Sequence, residues 1–154
     1  MYFRSDDEQT RTVLKLSLFA LNMLVVFNLA MIALGYYLGV ANPKLEPTDK
    51  LLRNIIFFVA VADLAAIYIV KKKMLTRLFD AKKSGHSPQP GSPYKELLSI
   101  TIIITAMCAA PSVYGLVLTI LGEKIEVLLF FVAMSLIGYQ FFRLRPKDFE
   151  TSDE

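Results

Sequence analysis

Tryptophan is absent from the chain, cysteine and histidine occur once each, as Cys108 and His86, and glycine and proline number seven apiece. One thiol and one imidazole exclude an intrachain disulfide, a zinc cluster, a thiol redox pair and a haem held by two histidines. A Ser-His-Asp triad inside the membrane is not expected either, because His86 lies in a stretch of serine, glycine and proline. Low glycine and low polarity rule out collagen-like and disordered chains. There is no phosphate loop, paired-carboxylate site or metal-ligand spacing. The chain therefore reads as a non-enzyme with no catalytic residue, metal or cofactor.

What is present is apolar residues in blocks. Of 154 residues 55% are hydrophobic and 20% charged, with a mean hydropathy of +0.48, against roughly 45–50% apolar and about 25% charged in soluble domains. A bilayer core about 30 Å thick takes roughly 20 residues of helix at 1.5 Å each. Four segments meet that length or nearly so: 16–40, 51–70, 97–121 and 125–142. The expected fold class is all-α, a polytopic membrane protein of four transmembrane helices. The fourth is the shortest, with Glu126 near its start, and should stand upright or thin the bilayer locally.

Lysine and arginine resist translocation more than acidic residues promote it, so their distribution sets orientation. Thirteen lie in the N-terminal flank, the middle loop and the tail, and four (Lys44, Lys50, Arg53, Lys124) on the other side. Both termini and the middle loop are expected to be cytoplasmic, in a bacterial-type inner (plasma) membrane. A cleaved signal peptide is the rival reading of the first block, supported by Gly39-Val40-Ala41. A retained helix fits better, because the block is longer than an h-region of roughly 7–15 residues and follows the acidic run Asp6, Asp7, Glu8.

The middle loop has two parts. Residues 71–83 keep helical spacing, with Met74, Leu75, Leu78 and Phe79 on one side, so the second helix is expected to continue out of the membrane and lie along its surface. Lys71, Lys72, Lys73 and Arg77 there read as an anchor for anionic lipid headgroups. With the lysines assigned to that anchor, no separate signal for nucleic-acid binding remains. Residues 84–94, rich in Ser, Gly and Pro, read as a cytoplasmic linker. It divides the chain into hairpin one (12–83), hairpin two (95–143) and a cytoplasmic tail (144–154). Phe57-Phe58-Val59-Ala60 recurs as Phe130-Phe131-Val132-Ala133, as a tandem duplication of the hairpin would require. The alternative is chance similarity between two apolar helices.

Small residues point to packing faces: the GxxxG step of Gly35 and Gly39, and Ala106, Ala110 and Gly115 in the third helix, which is expected at the bundle centre. Pro111 lacks an amide hydrogen and crowds the preceding turn, so a kink is expected there. Asp63 is the one ionisable side chain deep in an apolar block, about 10–12 Å along the helix from the Lys71 cluster. In hydrocarbon an ionised carboxylate costs at least roughly 2.5–3.5 kcal/mol, so it should face the bundle or water, or carry a proton. Asn28 of the same hairpin, the hydroxyls of Thr105, Ser112 and Ser135, and Tyr68 are its possible partners. Asp63 with Asn28 could hold a proton or a cation. The competing reading is that they fix helix register.

The run Met107-Cys108-Ala109-Ala110-Pro111-Ser112-Val113-Tyr114-Gly115-Leu116-Val117-Leu118 resembles the ion-carrying helix of the proteolipid, or c-type ring, subunits of rotary ATPases. Ala109 stands where that family has its carboxylate. The resemblance implies a proteolipid-like hairpin fold. Two functions remain open. The first is a non-enzymatic structural or accessory subunit packing in the lipid bilayer as a homo-oligomer or with other membrane subunits. The second is a small proton- or cation-coupled transporter or channel-like protein using Asp63.

Overall fold

The computed structural model describes residues 6–41, 49–83 and 93–145, with side chains over 11–39, 49–77 and 97–145. It contains four helices, α1 (Asp6–Ala41), α2 (Lys50–Lys83), α3 (Pro93–Ile120) and α4 (Ile125–Phe142). Each includes a stretch long and apolar enough to cross a bilayer: Arg11–Gly39, Lys50–Arg77, Leu97–Ile120 and Ile125–Phe142. The chain is a small four-span membrane protein. Most of the expected linker (84–92) and tail (146–154) lies outside the described residues.

Local chemistry sets the helix ends. α1 is described as far as Ala41. Asp49 caps α2, its Oδ1 accepting the N–H of Leu51 at 3.2 Å. α2 then continues unbroken through the basic stretch to Lys83. Its 34 residues extend about 50 Å, well past a 30 Å hydrocarbon core. Pro93 opens α3, where the missing amide hydrogen costs nothing. α3 ends in a Schellman turn: Gly122 takes a positive φ of 97°, its N–H reaches Thr119 O at 3.2 Å, and Glu123 N–H reaches Leu118 O at 3.0 Å. Glu126 falls in the first turn of α4, favourable against the helix dipole.

The contacts fix relative direction. Along α1, Ser17, Asn28 and Gly35 meet Tyr139, Ser135 and Leu128 of α4, so these two helices run antiparallel. Along α2, Phe57, Leu64 and Lys71 meet Phe130, Gly138 and Arg143, so α2 and α4 run parallel. Lys15, Lys71, Leu97 and Arg143 thus share one end, here the basic end. Arg53, Glu123 and Glu126 share the other, the turn end.

α3 and α4 form the centre, and each packs against both α1 and α2. Among the described residues the backbones of α1 and α2 nowhere approach one another. Of the two expected hairpins, the helices of the second, α3 and α4, pack directly against each other. α1 and α2 are consecutive in the chain but lie on opposite flanks of that pair. Toward the basic end, Val13, Leu16, Leu24, Ile67, Ile100, Ile104 and Tyr139 belong to one buried cluster drawn from all four helices. Toward the turn end the core divides. Ala60, Leu118 and Phe131 are buried on the α2 side, and Leu116, Leu128 and Val132 on the α1 side.

Gly115 lies at that division. A Cβ there would come 2.8 Å from Phe131 Cβ and 3.1 Å from Leu128 Cα, so only glycine allows α3 and α4 to approach this closely. The helix passes unbroken through Pro111, which is buried.

Candidate functional site

The polar residues of the spans form two separate groups. The first is buried between α1, α3 and α4. Ser112 Oγ donates to Asn28 Oδ1, and Asn28 Nδ2 donates to Ser135 Oγ at 3.3 Å. All three side chains are at most 2% exposed. One amide thus ties three helices together in a region where lipid offers no competing hydrogen bond.

The second group is the half-buried pair of Asp63 on α2 and Tyr114 on α3, whose phenolic hydroxyl donates to Asp63 Oδ2. Asp63 and Asn28 are not brought together, and the reason is helical geometry. Ser112 and Tyr114 are two residues apart, about 200° around the helix axis, so one faces α1 and the other α2. α3 therefore stands between the two residues that the chain order placed in one hairpin. Tyr68 is 61% exposed, and Tyr114 is the partner found. Nothing in the pattern singled out Tyr114 as such a partner. Its position in the Tyr-Gly-Leu-Val run had a different reading, although a phenol opposite a lone carboxylate is the available signal.

Other polar groups serve local packing. Thr101, Thr105 and Thr119 donate to carbonyls four residues earlier in α3, those of Leu97 (2.8 Å), Thr101 (2.6 Å) and Gly115 (3.0 Å). Tyr139, buried in α4, donates to Ser17 O of α1 at 2.8 Å. Beside it Ser17 Oγ is buried without a hydrogen-bond partner among the described residues.

The remaining sequence-selected positions separate by exposure. Gly35 is buried, with the Leu128 side chain where a Cβ would project, whereas Gly39 is exposed, with no atom of a described residue within 4 Å of that position. Ala106 also faces outward, and Ala110 is half-buried. At the basic end Lys71 Nζ donates to Arg143 O at 3.4 Å, closing the C-terminus of α4, while Lys72, Lys73 and Arg77 are exposed. At the turn end Arg53 Nη1 lies 3.8 Å from Glu123 Oε1.

Chemically, the Asn28 group can position helices, and the Asp63 group can accept a proton or, with added ligands, a cation. Among the described residues no three His, Cys, Asp or Glu side chains gather as a metal site requires. Comparison with protein-family models, with characterised proteins and with solved structures finds no match to this chain.

Proposed function

We propose that this protein is a non-enzymatic structural or accessory subunit that packs within the bilayer against copies of itself or other membrane subunits. The observation that carries this reading is the uneven burial of its spans. The most apolar window of α2 is 11% buried within the chain, against 44% for α3. A compact α3–α4 centre leaves two long helices, α1 and α2, with broad faces open to neighbours. The close approach at Gly115 also fills the middle, where a self-contained four-helix channel would need space. The excess of lysine and arginine at the basic end supports cytoplasmic termini in an inner (plasma) membrane. The exposed Lys72, Lys73 and Arg77 suit contact with anionic headgroups there.

Cross-linking in intact membranes tests the reading. Cysteines introduced at Phe58 and Ile69, which are 71% and 66% exposed on α2, in a Cys108→Ala background, should join into species of one defined size. Native mass spectrometry in mild detergent should give the same composition. A lone monomer in both measurements overturns the proposal.

A second reading has one observation in its favour, the Tyr114 hydroxyl directed at the Asp63 carboxylate within the span. A proton or cation using Asp63 would travel along the α2 flank, at a contact between chains. Asp63→Asn should then abolish flux into liposomes while leaving insertion intact. Unchanged flux, or none in the wild type, removes this alternative.

A further inference from the structure

At the turn end α2 and α4 part. Nearer the middle of the spans they are close, with Leu64 over Gly138, where a Cβ would come 2.8 Å from Leu64 Cδ2. Phe57 also lies there, its ring centroid 6.0 Å from that of Phe130 and 6.5 Å from that of Phe131. Beyond these rings lies a shallow groove, open on one side, of ≈ 410 Å³, with Arg53, Asn54 and Phe57 on one wall and Glu126, Phe130 and Phe131 on the other.

The walls follow the same pattern. Arg53 precedes Phe57 by four residues on α2, and Glu126 precedes Phe130 by four on α4. Residues four apart share a helix face, and α2 and α4 run parallel. Each wall therefore carries a charge at the rim and an aromatic ring one turn deeper, the deeper part being on the hydrocarbon side.

The rim charges are available unequally. One guanidinium nitrogen of Arg53 faces Glu123, whose side chain is 7% exposed, and the other N–H groups of the fork remain for a second acceptor. Glu126 is exposed, with no hydrogen bond or ion pair among the described residues. An occupant complementary to this rim has an anionic oxygen for Arg53, a hydrogen-bonding cation for Glu126 and an apolar chain for the rings. The volume lies in the range of small-molecule sites, about 300–1,000 Å³.

We propose that the groove is a binding site for a glycerophospholipid with a primary-amine headgroup. Its phosphate binds Arg53, its ammonium donates to Glu126, and the first part of one acyl chain lies on Phe57 and Phe130. Choline lipids lack the N–H donors that Glu126 needs. For a headgroup carrying only negative charge, the attraction of Arg53 is offset by Glu123 and Glu126.

The test is lipid competition on the full chain. The protein is placed in nanodiscs of equimolar phosphatidylethanolamine, phosphatidylcholine and phosphatidylglycerol, extracted stepwise with detergent, and the retained lipid counted by native mass spectrometry. Glu126 is exposed, and an ion pair at an exposed rim is worth a few-fold in affinity, so phosphatidylethanolamine should be retained about two- to fivefold over phosphatidylcholine. Glu126→Gln, at an exposed position without a partner among the described residues, should leave the fold intact and reduce that ratio to about one. Arg53→Gln should weaken retention of both zwitterionic lipids. Equal retention of the three lipids, preference for phosphatidylglycerol, or an undiminished ethanolamine preference in Glu126→Gln overturns the assignment.

Discussion

Residues 57–60 of α2 and 130–133 of α4 share the letters Phe-Phe-Val-Ala and bury different ones. In α2 only Ala60 is buried and both phenylalanines are exposed, whereas in α4 Phe131 and Val132 are buried and Ala133 is exposed. The difference follows from position. α4 has three neighbouring helices and must fill the space over Gly115 with Phe131. α2 sits on the flank, where a small residue against Leu118 and Phe131 suffices. In a membrane an apolar residue gains little by moving from lipid to protein, because lipid tails are as apolar as the interior. Helix placement there is decided by close approach and by hydrogen bonds, which α3 and α4 have in quantity and α2 has sparingly.

The strongest way to break this contrast is at Gly115. Its added Cβ would meet the backbone of Leu128 and the first side-chain atom of Phe131, neither of which can rotate away. Gly115→Ala should cost about 1–3 kcal/mol through overpacking, and Gly115→Leu should leave little folded protein. Gly138→Ala is the matched control on the flank. The clash there is with the end of the flexible Leu64 side chain, so a smaller loss is expected. The single thiol provides the readout. Cys108 is fully buried, and a thiol-reactive dye labels it only as the helices separate on heating.

Next in size is Asn28→Ala. It deletes the group that joins α1 to both central helices. Intramembrane hydrogen bonds average about 0.6 kcal/mol and reach about 1.7. With two bonds and some packing lost, about 1–2 kcal/mol is expected in the same unfolding assay. Asp63→Asn and Tyr114→Phe alter one bond on the flank. Each should move stability by about 0.6 kcal/mol or less. A larger loss from Asp63→Asn than from Asn28→Ala would reverse the ranking of the two polar groups.

The four spans were legible because an unbroken run of about 20 apolar residues matches the thickness of a bilayer and is longer than a soluble core ordinarily requires. Thr105, one of the hydroxyls offered as a partner for Asp63, bonds the Thr101 carbonyl instead, since a hydroxyl in an apolar helix finds its own carbonyl first. Asn28, Ser112 and Ser135 all stood out as polar. Their partition did not, because sequence neighbours are ordinarily space neighbours and Asn28 was paired with Asp63 on that basis. Here α3 intervenes, and two residues of α3, Ser112 and Tyr114, face opposite ways. The inward faces of the helices were illegible for a related reason. Both sides of a membrane helix are apolar, so hydropathy cannot distinguish a lipid contact from a helix contact, as the opposite fates of Ala106 and Gly115 show.

The smallest expected effect is at Gly39, and it sharpens the comparison by showing where the core ends. Gly35 lies beside Ile125, the first residue of α4, with a Cβ position 3.4 Å from Ile125 Cδ1. One turn farther along, α1 has passed the beginning of α4, and no atom of a described residue lies within 4 Å of the Gly39 Cβ position. The GxxxG step is therefore split, with Gly35 covered by Leu128 within the chain and Gly39 outside. It cannot present two bare glycines to another helix, which is the geometry that such a step needs for close association. Gly39→Ala should leave the labelling temperature of Cys108 within the range of surface substitutions, about ±0.5 kcal/mol, and should not change the size of any assembly recovered in mild detergent. A loss of assembly from Gly39→Ala with unfolding unchanged would place a subunit contact at the turn end of α1 instead of along α2.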